Sequence, residues 1–246
     1  MNVIKRDGTA EPLNLDKIHQ MVEFACEDIT GVSSSQVEMN SGLQFFDGIE
    51  SEQIQNILIK SASDLISLDS PNYQFVAARL LLFSVRKQVF PEWNQTGYPK
   101  LKDHVKTCSE VGVYDGGILK KYDDQEWEEL NSYIDHQRCY GFTYAGLRQI
   151  VDKYLVQDRS TGKVYETPQY MYIMVAATLF QDYPKETRLD YVKRYYTATS
   201  KGKINVPTPV LAGVRTPLRQ FASCVLVDVD DTLDSIFTSD MAIGRY

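Results

Sequence analysis

The residues that could do chemistry are concentrated between Val206 and Ser235. Within the run VPTPVLAGVRTPLRQFASCVLVDVDDTLDS, Thr208 lies between two prolines and Ser223 directly precedes Cys224. A hydroxyl and a thiol side by side can face a cavity, and a thiolate can attack a substrate or exchange with a disulfide. Taken alone, a cysteine in an apolar run is more often an inert packing residue. The short motif around Cys224 therefore leaves both interpretations open.

The same segment predicts the elements that would hold these side chains. The prolines of KINVPTPVL favour the end of an edge strand, because proline cannot donate to a ladder. The valine-rich run FASCVLVDV predicts a buried strand with Cys224 near its start. An acidic turn containing Asp231 follows at the far end of this strand.

A second group of candidate residues is cationic and lies in the first 90 residues. The pattern predicts a β-hairpin with a type I′ turn at Asp7-Gly8, then an amphipathic helix capped by Asn14. Cations beside a helix N-terminus form an anion site, because free N–H groups and the helix dipole favour phosphate. Solvated surface charges are the alternative interpretation. The cations concerned are Lys5, Arg6, Lys17 and Lys87.

The remaining segments predict helices and one linker. PEWNQTGYP contains two prolines and a glycine between periodic segments, which is typical of a linker. Before it, Ser51 and Ser70-Pro71 predict the starts of two helices. After it, apolar periodicity predicts an amphipathic helix with Trp127 and Leu130 on one face, and Thr167-Pro168 predicts the start of a buried helix that is apolar on nearly all sides. A hairpin is expected around the turn RSTG. We therefore expect four units: residues 1–90, a linker over 91–99, a helical domain over 100–203, and a further segment over 204–246.

Composition excludes several classes of protein. The chain has 246 residues and a net charge of −7, which argues against broad binding to nucleic acid. The sequence contains no run of eighteen apolar residues, so we expect no membrane span. The first residues lack the apolar region of a signal peptide, so we expect a cytoplasmic protein. The four cysteines have no C-x-x-C spacing, so we expect reduced thiols and no metal site.

Longer motifs connect the cysteine segment to a known family. The run PTP-x5-RTP-x-RQF-x-SCVL, followed by LDSI, resembles the start of the catalytic barrel of the class I ribonucleotide reductase large subunit. YLVQ-x-R and YP-x-ETR-x-x-YV-x-R resemble its helical N-terminal domain. The resemblance implies that Cys224 is one of two thiols that reduce the ribose of a ribonucleoside diphosphate. It also implies that Thr208 and Ser223 contact this substrate, and that a deoxynucleotide effector binds at Asp231, Thr232 and Leu233.

The N-terminal motif is similar to the ATP-cone, a module that binds ATP as activator and dATP as inhibitor of ribonucleotide reductases. The matching pattern is V-x-KRDG-x-x-E-x-x-N-x-x-K-I, with a downstream helix that ends in RK. Where the family typically carries a histidine, one turn after Ser51, this chain has Gln55, which can form a hydrogen bond but cannot become charged. The resemblance implies an allosteric activity site at Val3, Lys5, Arg6, Glu11, Asn14, Lys17, Ile18, Ser51, Gln55 and Lys87.

Together these resemblances imply a mainly helical α+β fold: an ATP-cone, a helical domain, and the first strands of a ten-stranded α/β barrel. In the family, the remaining catalytic residues lie downstream of the position matching Tyr246. We therefore expect another polypeptide to complete the barrel, although a shortened chain is the other possibility. A radical-generating small subunit that carries the iron centre, and a reductant of the thioredoxin or glutaredoxin type, are the other expected partners. The alternative function is a non-catalytic ATP-cone regulatory module.

Overall fold

The computed structural model describes residues 1–42 and 44–246, and its first part is a small sheet packed against helices. Strand β1 runs antiparallel to β2, with Val3 opposite Glu11, and parallel to β3, with Val3 opposite Ile49. The sequence did not predict β3, because two residues are too short for a periodic pattern. The elements are β1 (Asn2–Ile4), β2 (Ala10–Pro12), α1 (Leu15–Cys26), α2 (Ser34–Gly42), β3 (Ile49–Glu50), α3 (Ser51–Asp64) and α4 (Tyr73–Val89).

The hairpin between β1 and β2 has a different turn from the predicted one. A type I′ turn requires positive φ at both central residues, but only Gly8 of the Asp7-Gly8 pair has one, at 85°. Instead, the Gly8 N–H donates to the Lys5 carbonyl at 2.9 Å, and the Lys5 N–H donates to the Thr9 carbonyl at 2.8 Å. The Asp7 carboxylate accepts the Thr9 N–H at 2.9 Å. This side-chain hydrogen bond stabilises the loop between Lys5 and Thr9, which is longer than the two-residue loop of a type I′ turn.

The first helix begins where the sequence predicted, whereas α3 and α4 begin slightly away from the predicted caps. Asn14 caps α1, and its side chain accepts the Lys17 N–H at 3.0 Å. Glu50, rather than Ser51, precedes α3, and the Gln53 side chain accepts the Glu50 N–H at 3.1 Å. Similarly, α4 begins after Asn72 and not at Ser70-Pro71.

The helical domain surrounds an apolar helix. Pro168 is the first residue of α9, and the helix is buried along nearly its whole length, as its uniformly apolar sequence predicted. The expected hairpin around RSTG is reduced to one β-bridge between Gln157 and Val164. A π-helical turn covers Ile150–Tyr154. The α-helices are α5 (Trp93–Thr96), α6 (Leu101–Glu110), α7 (Asp124–Ser132), α8 (Tyr144–Gln149), α9 (Pro168–Phe180) and α10 (Lys185–Ser200).

The last segment differs most from the prediction. Thr208–Gly213 forms a helix, α11, where the sequence suggested the end of an edge strand. No strand is present over 221–230 in the described chain, and most side chains there are exposed. A strand exists only when its backbone groups pair with another strand. Thr232 then caps α12 (Leu233–Arg245), and its hydroxyl accepts the Ser235 N–H at 3.2 Å.

A continuous core joins the first 90 residues to the helical domain. Buried apolar side chains run from Val3 and Val22 through α4 to α9 and on to Leu211 in α11. Phe90, directly after α4, makes an edge-on contact with Tyr170 of α9, at 5.5 Å between ring centroids. Within the described residues, no helix is long and apolar enough to cross a membrane.

Candidate functional site

A cavity of about 680 Å³ lies between the hairpin, α1, α3, the end of α4 and the start of the 91–99 segment. Its wall contains every residue predicted for the allosteric activity site except Arg6, whose side chain is exposed. Residues from β1, β2 and three helices therefore converge on one opening. The predicted residues in the wall are Val3, Lys5, Glu11, Asn14, Lys17, Ile18, Ser51, Gln55 and Lys87.

The lysines give this cavity an unbalanced positive charge. The pKa of Lys87 lies below its ordinary value, first because burial removes water from the ammonium and then because Arg6, Lys5 and Lys17 are nearby cations. Glu11 partly compensates, with its carboxylate 3.4 Å from the Lys5 ammonium. Neighbouring cations repel one another, and an anion between them removes this repulsion, so the cavity favours an anionic ligand. This arrangement suits a phosphate group.

Gln55 contributes only one end of its amide to the cavity. Its Nε2 donates to the carbonyl of Leu80 on α4 at 2.8 Å. The side-chain oxygen is then the end that remains for a ligand, so Gln55 can accept a hydrogen bond from a hydroxyl or amino group.

Sequence reasoning missed the aromatic part of the cavity wall. The Arg86 guanidinium lies 3.7 Å from the centroid of the Trp93 ring and 5.0 Å from that of Phe83. Such cation–π stacks offer a flat surface on which a heterocyclic base can lie. Trp93 was assigned to a linker and Arg86 to the end of a helix, and no local pattern joins the two. The aromatic lining consists of Phe24, Phe83, Phe90 and Trp93.

The second candidate region begins at α11. Thr208 is the first residue of this helix, and its hydroxyl oxygen lies 3.4 Å from that of Tyr154. Ser223 and Cys224 lie farther along the chain and are exposed, with Oγ and Sγ 3.8 Å apart. The structure does not bring Thr208 into hydrogen-bond contact with Ser223.

Cys224 differs from the other cysteines in its exposure. Burial raises the pKa of Cys26 to about 11 and those of Cys108 and Cys139 to about 12, which keeps these groups as thiols. All four cysteines are free, and Cys224 is the exposed one. Because thiolate character and access control reactivity, Cys224 is the best placed of the four to react with another molecule.

The residues predicted for the effector site lie at the start of α12. Thr232 uses its hydroxyl to cap the helix, while Asp231 and Leu233 are exposed. Across the described residues, no three His, Cys, Asp or Glu side chains are grouped so that they could hold a metal ion.

Comparison with known proteins gives two domain families and several relatives that this chain resembles. Residues 1–88 match the ATP cone domain, and residues 140–219 match the ribonucleotide reductase all-alpha domain. The chain is 51% identical over 244 residues to the ribonucleoside-diphosphate reductase subunit alpha of Haemophilus influenzae, and 50% identical over 244 residues to the ribonucleoside-diphosphate reductase 1 subunit alpha of Escherichia coli K12. The corresponding subunit of Enterobacteria phage T4 is 40% identical over 248 residues.

Over nearly its whole length, this chain is similar to the N-terminal region of ribonucleotide reductase alpha subunits. The alignments to the two bacterial relatives cover 99% of this chain and 32% of each relative. Cys224 and residues 231–233 lie beyond both domain matches but within these alignments. The resemblance to class I ribonucleotide reductases that the motifs indicated is thus confirmed.

Proposed function

We propose that the cavity beside the hairpin binds ATP and dATP as regulatory ligands. The single observation that carries this proposal is the group of lysines in the wall of the cavity, where burial and neighbouring cations lower the pKa of Lys87. The triphosphate would lie among Lys5, Lys17 and Lys87, with Arg6 adding longer-range attraction. The base would lie near Val3 and Ile18, with Gln55 within reach of its polar groups.

We also propose that the chain is the N-terminal part of an enzyme that reduces ribonucleoside diphosphates to deoxyribonucleotides for DNA synthesis. Thr208 and Ser223 would bind the substrate with their hydroxyls. The Cys224 thiol and a second thiol, from the part of the barrel outside this chain, would together give two electrons and two protons to the ribose and become a disulfide. The identity of about 50% over the whole chain supports this assignment.

The proposed cycle needs partners. A reductant of the thioredoxin or glutaredoxin type would return the disulfide to two thiols, and a small subunit with an iron centre would supply the radical. A deoxynucleotide effector would bind near Asp231, Thr232 and Leu233, at the start of α12. Leu218, Phe221 and Leu226 are strongly exposed apolar side chains in this region. Exposed apolar groups in one region are typical of an interaction surface, and the rest of the barrel is the partner we propose for it.

Reduction of CDP tests the enzymatic proposal. The chain would be mixed with a polypeptide that carries the rest of the barrel and with a radical-generating subunit, and each component would also be assayed alone. We expect turnover only in the complete mixture, and loss of turnover in Cys224→Ser. Cys26→Ser is the matched control, because Cys26 is a half-buried thiol on α1. Full turnover in Cys224→Ser would remove the redox role.

A non-catalytic regulatory module is the second candidate function. The cavity and its cations are compatible with it, since nucleotide binding there needs no thiol. ATP binding without CDP reduction in the complete mixture would favour this candidate. The exposure of Cys224 next to Ser223 favours the enzyme instead.

A further inference from the structure

We propose that Tyr154 and Lys153 belong to the substrate site and bind a phosphate of the nucleoside diphosphate together with Thr208; this rests on the reductase function proposed above. The hydroxyl oxygens of Tyr154 and Thr208 are 3.4 Å apart, and the Gln149 amide Nε2 lies 3.4 Å from the Tyr154 oxygen. These separations exceed the roughly 2.8 Å of a good O–H···O bond. Two hydroxyls at this spacing can both donate to one oxygen between them. A phosphate oxygen suits that position.

The backbone around Tyr154 has an unusual conformation. Ile150–Tyr154 forms a π-helical turn, in which the Leu155 N–H donates to the Ile150 carbonyl at 2.9 Å. Single π-turns are rare and frequently occur at functional sites. The turn brings Tyr154 next to the first residue of α11, although Tyr154 and Thr208 are 54 positions apart in the sequence.

A buried ion pair holds the two hydroxyls in this relation. Arg215 and Glu166 have fully buried side chains, and Arg215 Nε donates to Glu166 Oε2 at 2.9 Å. Arg215 also donates to the carbonyls of Leu211 in α11 and of Tyr154, the latter at 2.9 Å. Glu166 Oε1 in turn accepts the Val156 N–H at 2.7 Å. The pair therefore ties α11, which begins with Thr208, to the segment that carries Tyr154.

The charge near these hydroxyls favours an anion. The buried Arg215 charge is neutralised by Glu166. Asp152, which could repel a phosphate, pairs with Arg148 at 2.9 Å. Lys153 is exposed, forms no salt bridge within the described chain, and has its ammonium 5.7 Å from the centre of the Tyr154 ring. Lys153 is thus available to attract a phosphate toward the two hydroxyls.

The test compares CDP with cytidine, which has the same base and sugar but no phosphate. In the holoenzyme, we expect Tyr154→Phe to raise the equilibrium dissociation constant and the KM for CDP about tenfold, as for loss of one hydrogen bond to a charged group. Thr208→Val should do the same, and Lys153→Gln should weaken the salt dependence of CDP binding. The affinity for cytidine should stay unchanged in all three variants.

Tyr191→Phe is the matched control, because it removes a hydroxyl from an exposed ring that stacks on Phe180. Unchanged CDP affinity in Tyr154→Phe would overturn the proposal, and so would equal losses for CDP and cytidine. CDP that binds in a Tyr154-dependent manner without being reduced would support the subsite and refute the reductase function. Failure of the unmodified holoenzyme to bind CDP would refute both.

Discussion

Replacing Lys87 by glutamine should slightly raise the free energy of unfolding of the ligand-free protein. The same substitution should remove much of the stabilisation that ATP gives. The pKa of Lys87 is lowered by burial and then by Arg6, Lys5 and Lys17. A lysine whose pKa falls on folding destabilises the folded state while it is charged. This cost is fully present below the lowered folded pKa, falls as the pH rises above it, and is gone only above the ordinary pKa of the unfolded chain. At neutral pH the uncharged glutamine avoids that cost. With a triphosphate bound, Lys87→Gln should instead lower the free energy of unfolding, because the triphosphate stabilises the charged lysine.

The magnitude follows from the bond that is lost. A hydrogen bond to a charged group contributes about 1.5–3 kcal/mol, which corresponds to a weakening of ATP binding by about 10- to 150-fold. At an ATP concentration about 100 times the dissociation constant, the ligand stabilises the unmodified protein by about 2.7 kcal/mol. If the variant binds 100-fold more weakly, the same concentration stabilises it by about 0.4 kcal/mol.

Thermal unfolding with and without ATP, together with calorimetric titration, measures both effects. Lys60→Gln is the matched control, because Lys60 lies on α3 in an exposed pair with Asp64 at 2.7 Å and does not line the cavity. Its removal should change stability by less than about 1 kcal/mol and leave ATP binding unchanged. Two results would refute the reasoning: unaltered ATP affinity in Lys87→Gln, or an equal loss of affinity in Lys60→Gln.

Three further predictions concern stability and thiol reactivity. Glu166→Leu should lower the free energy of unfolding, measured in urea, by about 3–5 kcal/mol because it leaves the buried Arg215 charge without its carboxylate partner. The double variant with Arg215→Met should lose much less, and equal losses would contradict this. Burial opposes ionisation of Glu126, but hydrogen bonds from Arg188 and a backbone N–H outweigh it and lower the pKa of the carboxyl. The Glu126–Arg188 pair should therefore stabilise the folded protein above pH about 4.3, and this stabilisation should be lost as the pH falls through the lower folded pKa of Glu126. In Glu126→Gln, the free energy of unfolding should fall less on acidification. Cys224 should be alkylated by iodoacetamide much faster than the other thiols in the native protein, so mass spectrometry of Cys224→Ser should show no fast site.

Local signals in the sequence predicted the starts of α1 and α9 and the buried face of α7, but not α11. Asn14 caps α1, and Pro168 occupies the first position of α9, as their residue types require. The spacing of apolar residues also predicted the burial of Trp127 and Leu130 on α7. These features depend on residues within one or two turns of each other, so a sequence pattern is sufficient to find them.

Features that depend on distant contacts could not be predicted in this way. The valine-rich run around Val225 has the composition of a strand, but it has no strand partner among the described residues, and Leu226 is 99% exposed. The local pattern and the resemblance both indicated the candidate lysines of the cavity, whereas local patterns gave no reason to place Arg86 against Trp93. Likewise, the contact between Tyr154 and Thr208 depends on a buried ion pair between Glu166 and Arg215, which are 49 positions apart.

The segment over 91–99 packs against both the first 90 residues and the helical domain, although its composition is typical of a linker. Trp93 lines the cavity and packs edge-on against Tyr98, whose ring stacks on His136 with 3.5 Å between centroids. The carbonyl of Pro99 accepts the hydroxyl of Tyr170, a buried residue of α9, at 2.5 Å. A ligand that reaches Trp93 in this cavity would therefore contact a side chain that is joined to the helical domain through Tyr98 and His136. The cavity thus belongs to the junction between the first 90 residues and the helical domain, and its occupancy can alter the free energy of that junction through these contacts.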